Sequence, residues 1–160
     1  DGAALEFAAD QLRRDKEVVL AAVRQKGMAL YYASGLAMRS DREVILEAVR
    51  QDWRALELAT EELRGDREVA MTAIASGWEA VEFVSEELRE SRTFLLEACQ
   101  HGGGVLRFAP EPLRADPELV QAASQNGLGV TAIGEPRALT VVDEGKAKLV
   151  RSPLSYLNSP

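Results

Sequence analysis

The sequence predicts an all-α protein: tandem helical hairpins of about 25 residues per unit, stacked like an α-solenoid and followed by an irregular or short β-hairpin tail. Three observations carry this. First, five segments align without gaps: Asp15-Lys-Glu-Val-Val-Leu-Ala-Ala-Val, Asp41-Arg-Glu-Val-Ile-Leu-Glu-Ala-Val, Asp66-Arg-Glu-Val-Ala-Met-Thr-Ala-Ile, Ser91-Arg-Thr-Phe-Leu-Leu-Glu-Ala-Cys and Asp116-Pro-Glu-Leu-Val-Gln-Ala-Ala-Ser, with starts 26, 25, 25 and 25 residues apart. Second, every segment opens on a residue suited to cap a helix. Third, the apolar residues that follow fall at unit positions four, five, eight and nine, which makes one stripe on a helix. The register divides the chain into a repeat array over 1–131 and a C-terminal extension over 132–160. Units begin near residues 15, 41, 66, 91 and 116, and a half unit occupies 1–14.

Each element of the unit has its own cause. Asp15, Asp41, Asp66, Ser91 and Asp116 accept hydrogen bonds from the free amides of the first turn. Glu17, Glu43, Glu68 and Glu118 follow two residues later, where negative charge suits the helix dipole, and Pro117 stands at the position where Pro starts a helix well. The stripe is Val18, Val19, Ala22, Val23 in one copy and Val44, Ile45, Ala48, Val49 in the next. Position eight is Ala in all five copies (Ala22, Ala48, Ala73, Ala98, Ala123), as a close helix crossing requires. Gly27, Gly77, Gly102 and Gly127 are expected to end the first helix in a left-handed turn.

A second, shorter apolar helix is expected over Ala29–Ala33, Ala55–Ala59, Ala80–Val84 and Val105–Ala109. Thr60–Arg64 and Ser85–Arg89 read as a capped turn leading to the next unit, with Pro110 and Pro112 in the equivalent turn of the fourth copy. Helices this short depend on stacking against neighbours. Beyond Gly129 the register fails. Ala138–Val150 has β-branched residues around Asp-Glu-Gly and suits either a small hairpin or extended chain on another protein; Arg151–Pro160 is too short to fold alone.

Composition excludes several functions. A net charge of −7 argues against nucleic acid, whose affinity is mostly summed Lys and Arg attraction. One Cys and one His leave no disulfide framework and no ordinary zinc site. Uncharged stretches such as Gly27–Met38 fall short of the ~20 residues of a membrane helix. Cys99 replaces a core aliphatic and His101 a polar surface residue, and residues two apart on a helix face different ways, which argues against a Cys–His pair. Gly102-Gly-Gly104 follows a helix instead of a strand and lacks the closing Lys-Ser or Lys-Thr of a phosphate loop. The pairs Glu61-Glu62 and Glu86-Glu87 suit solvated helix starts. No catalytic, metal-binding or cofactor-binding residue emerges, and no cofactor is expected.

Two sets of residues stand out. Arg13, Arg39, Arg64, Arg89 and Arg114 close successive units, two residues before the next cap. They read as a structural clamp onto the cap Asp, a nearby Glu or turn carbonyls, because the excess of acid is wrong for an anion site. Trp53 and Trp78 share a unit position with Gly27 and Gly103, which suggests a partly exposed corner used for packing between units or as a partner anchor. Leu154 and Tyr156 are the corresponding candidates in the tail.

The run Asp41-Arg-Glu-Val-Ile-Leu-Glu-Ala-Val-Arg-Gln-Asp-Trp-Arg-Ala-Leu-Glu-Leu-Ala-Thr-Glu-Glu-Leu-Arg64 resembles the bacterial and protist repeat catalogued as domain of unknown function forty-one sixteen, and the resemblance extends over residues 1 to about 131. The fourth copy departs from it at Ser91, Thr93 and Gly102-Gly-Gly104. The resemblance implies helical tandem repeats, abundant in some unicellular algae, with no assigned catalytic residue.

The expected function is therefore non-enzymatic: a scaffold or accessory subunit that binds other protein subunits through the repeat surface and the tail. The start in mid-unit favours a longer precursor. With the algal distribution, that points to a plastid protein peripheral to a thylakoid photosystem complex, with the cytoplasm as the alternative. The rival reading is a targeting fragment of a longer enzyme or effector.

Overall fold

The computed structural model describes residues 2–127 and two short strands beyond them, Gly129–Val130 and Val141–Val142. The described body is helical and repeats one coil. Its long helices are α2 (Lys16–Gln25), α4 (Arg42–Gln51), α6 (Arg67–Ser76), α8 (Arg92–Ala98) and α10 (Pro117–Gln125). The short ones are α1 (Asp10–Arg13), α3 (Leu36–Arg39), α5 (Glu61–Arg64), α7 (Glu86–Arg89) and α9 (Glu111–Arg114).

Every long helix starts where a side chain can cap it. Asp15, Asp41, Asp66 and Asp116 each accept from the amides two and three residues on, and Ser91 accepts from the Phe94 amide. The stripe at positions five and nine is buried in Val19, Val23, Ile45, Val49, Ala70 and Ile74, and Ala48, Ala73, Ala98 and Ala123 are fully buried at the crossing. Burying each Val or Ile contributes about 1.5–3 kcal/mol before chain entropy is counted. Long helix packs on long helix, unit by unit, with no polar or charged residue buried among those described.

Two expectations are corrected. The second helix of the unit is a six-residue 3₁₀ segment at Gly27–Tyr32, Trp53–Leu58, Trp78–Phe83 and Gly103–Phe108, preceded by one more at Gly2–Phe7. Its amides bond three residues back, as Ala33 does to Leu30 and Ala59 to Leu56, both at 3.1 Å. The tighter turn brings residues three apart onto one line, so Leu30 with Ala33 and Leu56 with Ala59 are buried together.

The glycines at the end of the long helices are the second correction. Gly77 (φ −177°) and Gly102 (φ 173°) are extended, and only Gly127 (φ 96°) takes the left-handed turn. Three of the long helices, α2, α4 and α6, instead end at an extended residue (Lys26, Asp52 and Gly77) that turns the chain straight into the 3₁₀ segment.

Past the array, Gly129–Val130 pairs antiparallel with Val141–Val142, Gly129 opposite Val142. The hairpin expected within Ala138–Val150, and Arg151–Pro160, otherwise lie outside the described residues.

Candidate interaction surface

The units are tied by a ladder of ion pairs that begins at position two, directly after each cap. Lys16 reaches Asp41 (2.8 Å) and Glu43 (2.9 Å) of the following unit. Arg42 pairs in the same way with Asp66 (2.9 Å) and with Glu68, and Arg92 with Asp116 (2.8 Å) and Glu118 (2.6 Å). The cap aspartate thus does two jobs, closing its own helix and receiving the cation of the helix before it. The bond from Arg42 holds the Asp66 carboxyl below the usual carboxylate range, and the bond from Arg92 does the same for Asp116. Where the fourth copy lacks both acids, having Ser91 and Thr93, Arg67 turns to Glu97 instead and lies 5.7 Å from the centroid of the Phe94 ring.

Sequence reasoning missed this ladder although its signal was present. Position two is basic in the first four units, and the next unit carries Asp or Ser at position one.

The terminal arginines hold a different place. Arg64 and Arg114 pair within their own turn with Glu61 (3.1 Å) and Glu111 (3.2 Å), and Arg13 lies 3.9 Å from Asp10. What crosses to the next unit at this position is main chain. The carbonyls of Arg13, Arg39 and Arg64 accept from the amides of Ser34 (2.9 Å), Thr60 (3.1 Å) and Ser85 (3.1 Å). Pro110, which has no amide hydrogen, stands where the same bond would come from the fourth unit to Arg89.

Trp53 and Trp78 are half-buried and lie between consecutive units. A Cβ on Gly77 would stand 2.3 Å from Cδ1 of Trp53, and one on Gly102 would stand 2.6 Å from Cγ of Trp78. The Trp53 ring also stacks on Phe83 with centroids 6.1 Å apart, and Trp78 covers Gly104. Each indole therefore occupies space that a missing side chain in the following unit leaves open. Gly27 meets backbone instead: its Cβ would fall 2.4 Å from the Ala48 carbonyl oxygen.

Cys99 is fully buried, and burial pushes its thiol up to about 11, away from nucleophilic use at neutral pH, while His101 is exposed. Among the described residues no group of three or more His, Cys, Asp or Glu is placed to hold a metal ion, and no helix is long and apolar enough to cross a membrane. Leu154 and Tyr156 lie outside the described residues.

One part of the surface differs from the rest. Among the described residues, the large exposed hydrophobic ones are Phe7 (85% exposed), Leu12 (48%), Tyr31 (62%) and Leu36 (70%), all near the N-terminal end of the array. Tyr31 occupies the place of Glu57, Glu82 and Arg107 in later units, and Leu36 that of Glu61, Glu86 and Glu111. The Tyr31 ring meets Tyr32 edge to face at 5.5 Å.

A family model described as a domain of unknown function (DUF4116) matches residues 1–36 and 41–89, more than half of the chain. No curated protein and no solved structure matches it.

Proposed function

The chain belongs to the DUF4116 family of domains of unknown function, and from that premise we propose that it is a protein–protein interaction module, a scaffold or accessory subunit of a larger assembly without catalytic chemistry of its own. The observation that carries this reading is the exposure of Tyr31 and Leu36, large side chains that stand where the repeat otherwise places charge, and aromatic side chains are enriched at protein–protein interfaces.

The variant carrying Tyr31→Glu and Leu36→Glu restores the repeat's own preference at both positions. It is expected to keep the circular dichroism and melting temperature of the parent and to lose the partners that the parent brings down from its source cells. Equal recovery of the same partners by variant and parent contradicts the reading.

More finely, we propose a subunit peripheral to an algal plastid photosystem, a placement that rests on the algal distribution implied by the family resemblance. Photosystem subunits among the copurifying proteins of thylakoid extracts are the expected result, and their absence removes that placement while leaving the interaction role.

A further inference from the structure

We propose that Thr93 is a phosphorylation site, whose phosphate supplies the acid that the ladder lacks between the third and fourth units and pairs with Arg67. The site is separate from Tyr31 and Leu36 and does not depend on the partner reading above.

The complete rungs define what is absent. In each, a cation at position two meets acids at positions one and three of the following unit: Lys16 with Asp41 and Glu43, Arg42 with Asp66 and Glu68, Arg92 with Asp116 and Glu118. In the fourth unit both acids are replaced by hydroxyl residues, Ser91 and Thr93, while the cation that would meet them, Arg67, is kept. Its guanidinium stays beside the open rung, 5.7 Å from the ring centroid of Phe94, the residue directly after Thr93, and pairs with Glu97 one turn along α8. A phosphoryl group on a hydroxyl restores negative charge at a rung position and brings three strong acceptor oxygens.

The two hydroxyls are not equivalent. Ser91 is half-buried, and its Oγ is occupied as the helix cap, accepting from the Phe94 amide at 3.4 Å. Thr93 is exposed, with its Oγ1 3.2 Å from the Ser91 Oγ. Arg92, the adjacent cation, is committed to Asp116 and Glu118, so the phosphate draws on Arg67. Glu97 stands four residues after Thr93 and repels the phosphate across one turn, so Arg67 moves from the single carboxylate to the dianion. Before modification Arg67 makes one ion pair where Lys16, Arg42 and Arg92 each make two, and the start of α8 therefore opens more readily than that of α4 or α6. A protein kinase needs that opening to take Thr93 in extended form. In the transfer, a bond forms between Thr93 Oγ1 and the γ-phosphorus of a nucleoside triphosphate, the bond from that phosphorus to the β–γ bridging oxygen breaks, the nucleoside diphosphate leaves, and the hydroxyl proton passes to the kinase's base. The product ties the third unit to the fourth as the other rungs tie theirs.

The full chain is incubated with an extract of its source cells, phosphatase inhibitors and a nucleoside triphosphate labelled in its γ-phosphate. Label located at Thr93 by mass spectrometry, and lost in Thr93→Val, is the expected result. No incorporation, or label elsewhere that Thr93→Val leaves undiminished, overturns the site. The role of Arg67 is tested on the full chain with phosphothreonine encoded at position 93, in the parent and in Arg67→Met, an exposed position whose loss the fold tolerates. In denaturant melts the phosphate is expected to shift the folding equilibrium about fivefold further towards the folded state in the parent than in Arg67→Met. Its second ionisation, followed by phosphorus NMR, is expected to lie lower in the parent than in the variant. Equal phosphate effects in the two backgrounds overturn the pairing with Arg67.

Discussion

At the scale of single residues, the pairing of an indole with a glycine one unit later explains why one position tolerates both Gly and Trp. Gly77→Ala places its new methyl inside the Trp53 ring's space, and overpacking of this kind costs about 1–3 kcal/mol. The same substitution in a Trp53→Ala background is expected to cost clearly less, so denaturant melts of the two single variants and the double variant should give a large coupling term. Equal cost in both backgrounds contradicts the packing described. Arg64→Met is expected to lower the melting temperature modestly, by removing the Glu61 pair and the packed stem, as followed by circular dichroism. The cap aspartates and the burial of Cys99 were legible in the sequence because each depends on its own helix. The Trp–Gly pairs were not, because the glycine's purpose lies in the preceding unit and its extended φ gives no local sign of it.

Elements are coupled through the ladder, and the ladder titrates. Asp66 and Asp116 have carboxyls depressed in the folded state by Arg42 and Arg92, so the folded protein binds fewer protons than the unfolded chain once pH approaches the ordinary Asp value of about 3.9. Their contribution is complete above that value and lost as pH falls through the lower folded values. Arg42→Met removes the cause at Asp66. The stability gap between parent and variant is expected to close on acidification below about pH 4, and to narrow in high salt because these side chains are partly exposed. A gap independent of pH contradicts the assignment.

Hydrogen exchange reports the other tie between units. The amides of Ser34, Thr60 and Ser85 are expected to be protected by the Arg13, Arg39 and Arg64 carbonyls, and α9, which follows Pro110, to exchange faster than α5. Helix starts at this scale were readable from caps and stripe. The 3₁₀ form of the second segment was not, since six residues do not separate a period of 3.0 from one of 3.6.

For the whole molecule, the register of the units was plain because it repeats, whereas the exposure of Tyr31 and Leu36 emerged only when burial at equivalent positions was compared along the stack. A stack of this kind has stability that is a sum over units and their shared faces, so one whole unit can be removed if both new faces match. Excision of residues 66–90 joins Gly65 to Ser91 and keeps each contact type: Trp53 meets Gly102 in place of Gly77, and Arg42 finds Glu97 as Arg67 does now. Thermal melts of this deletion, followed by circular dichroism, test the nearest-neighbour account most directly. A cooperative transition at lower temperature, with the parent's helix signal per residue, is the result expected. Loss of cooperative folding, with helix content collapsing at all temperatures, would contradict it.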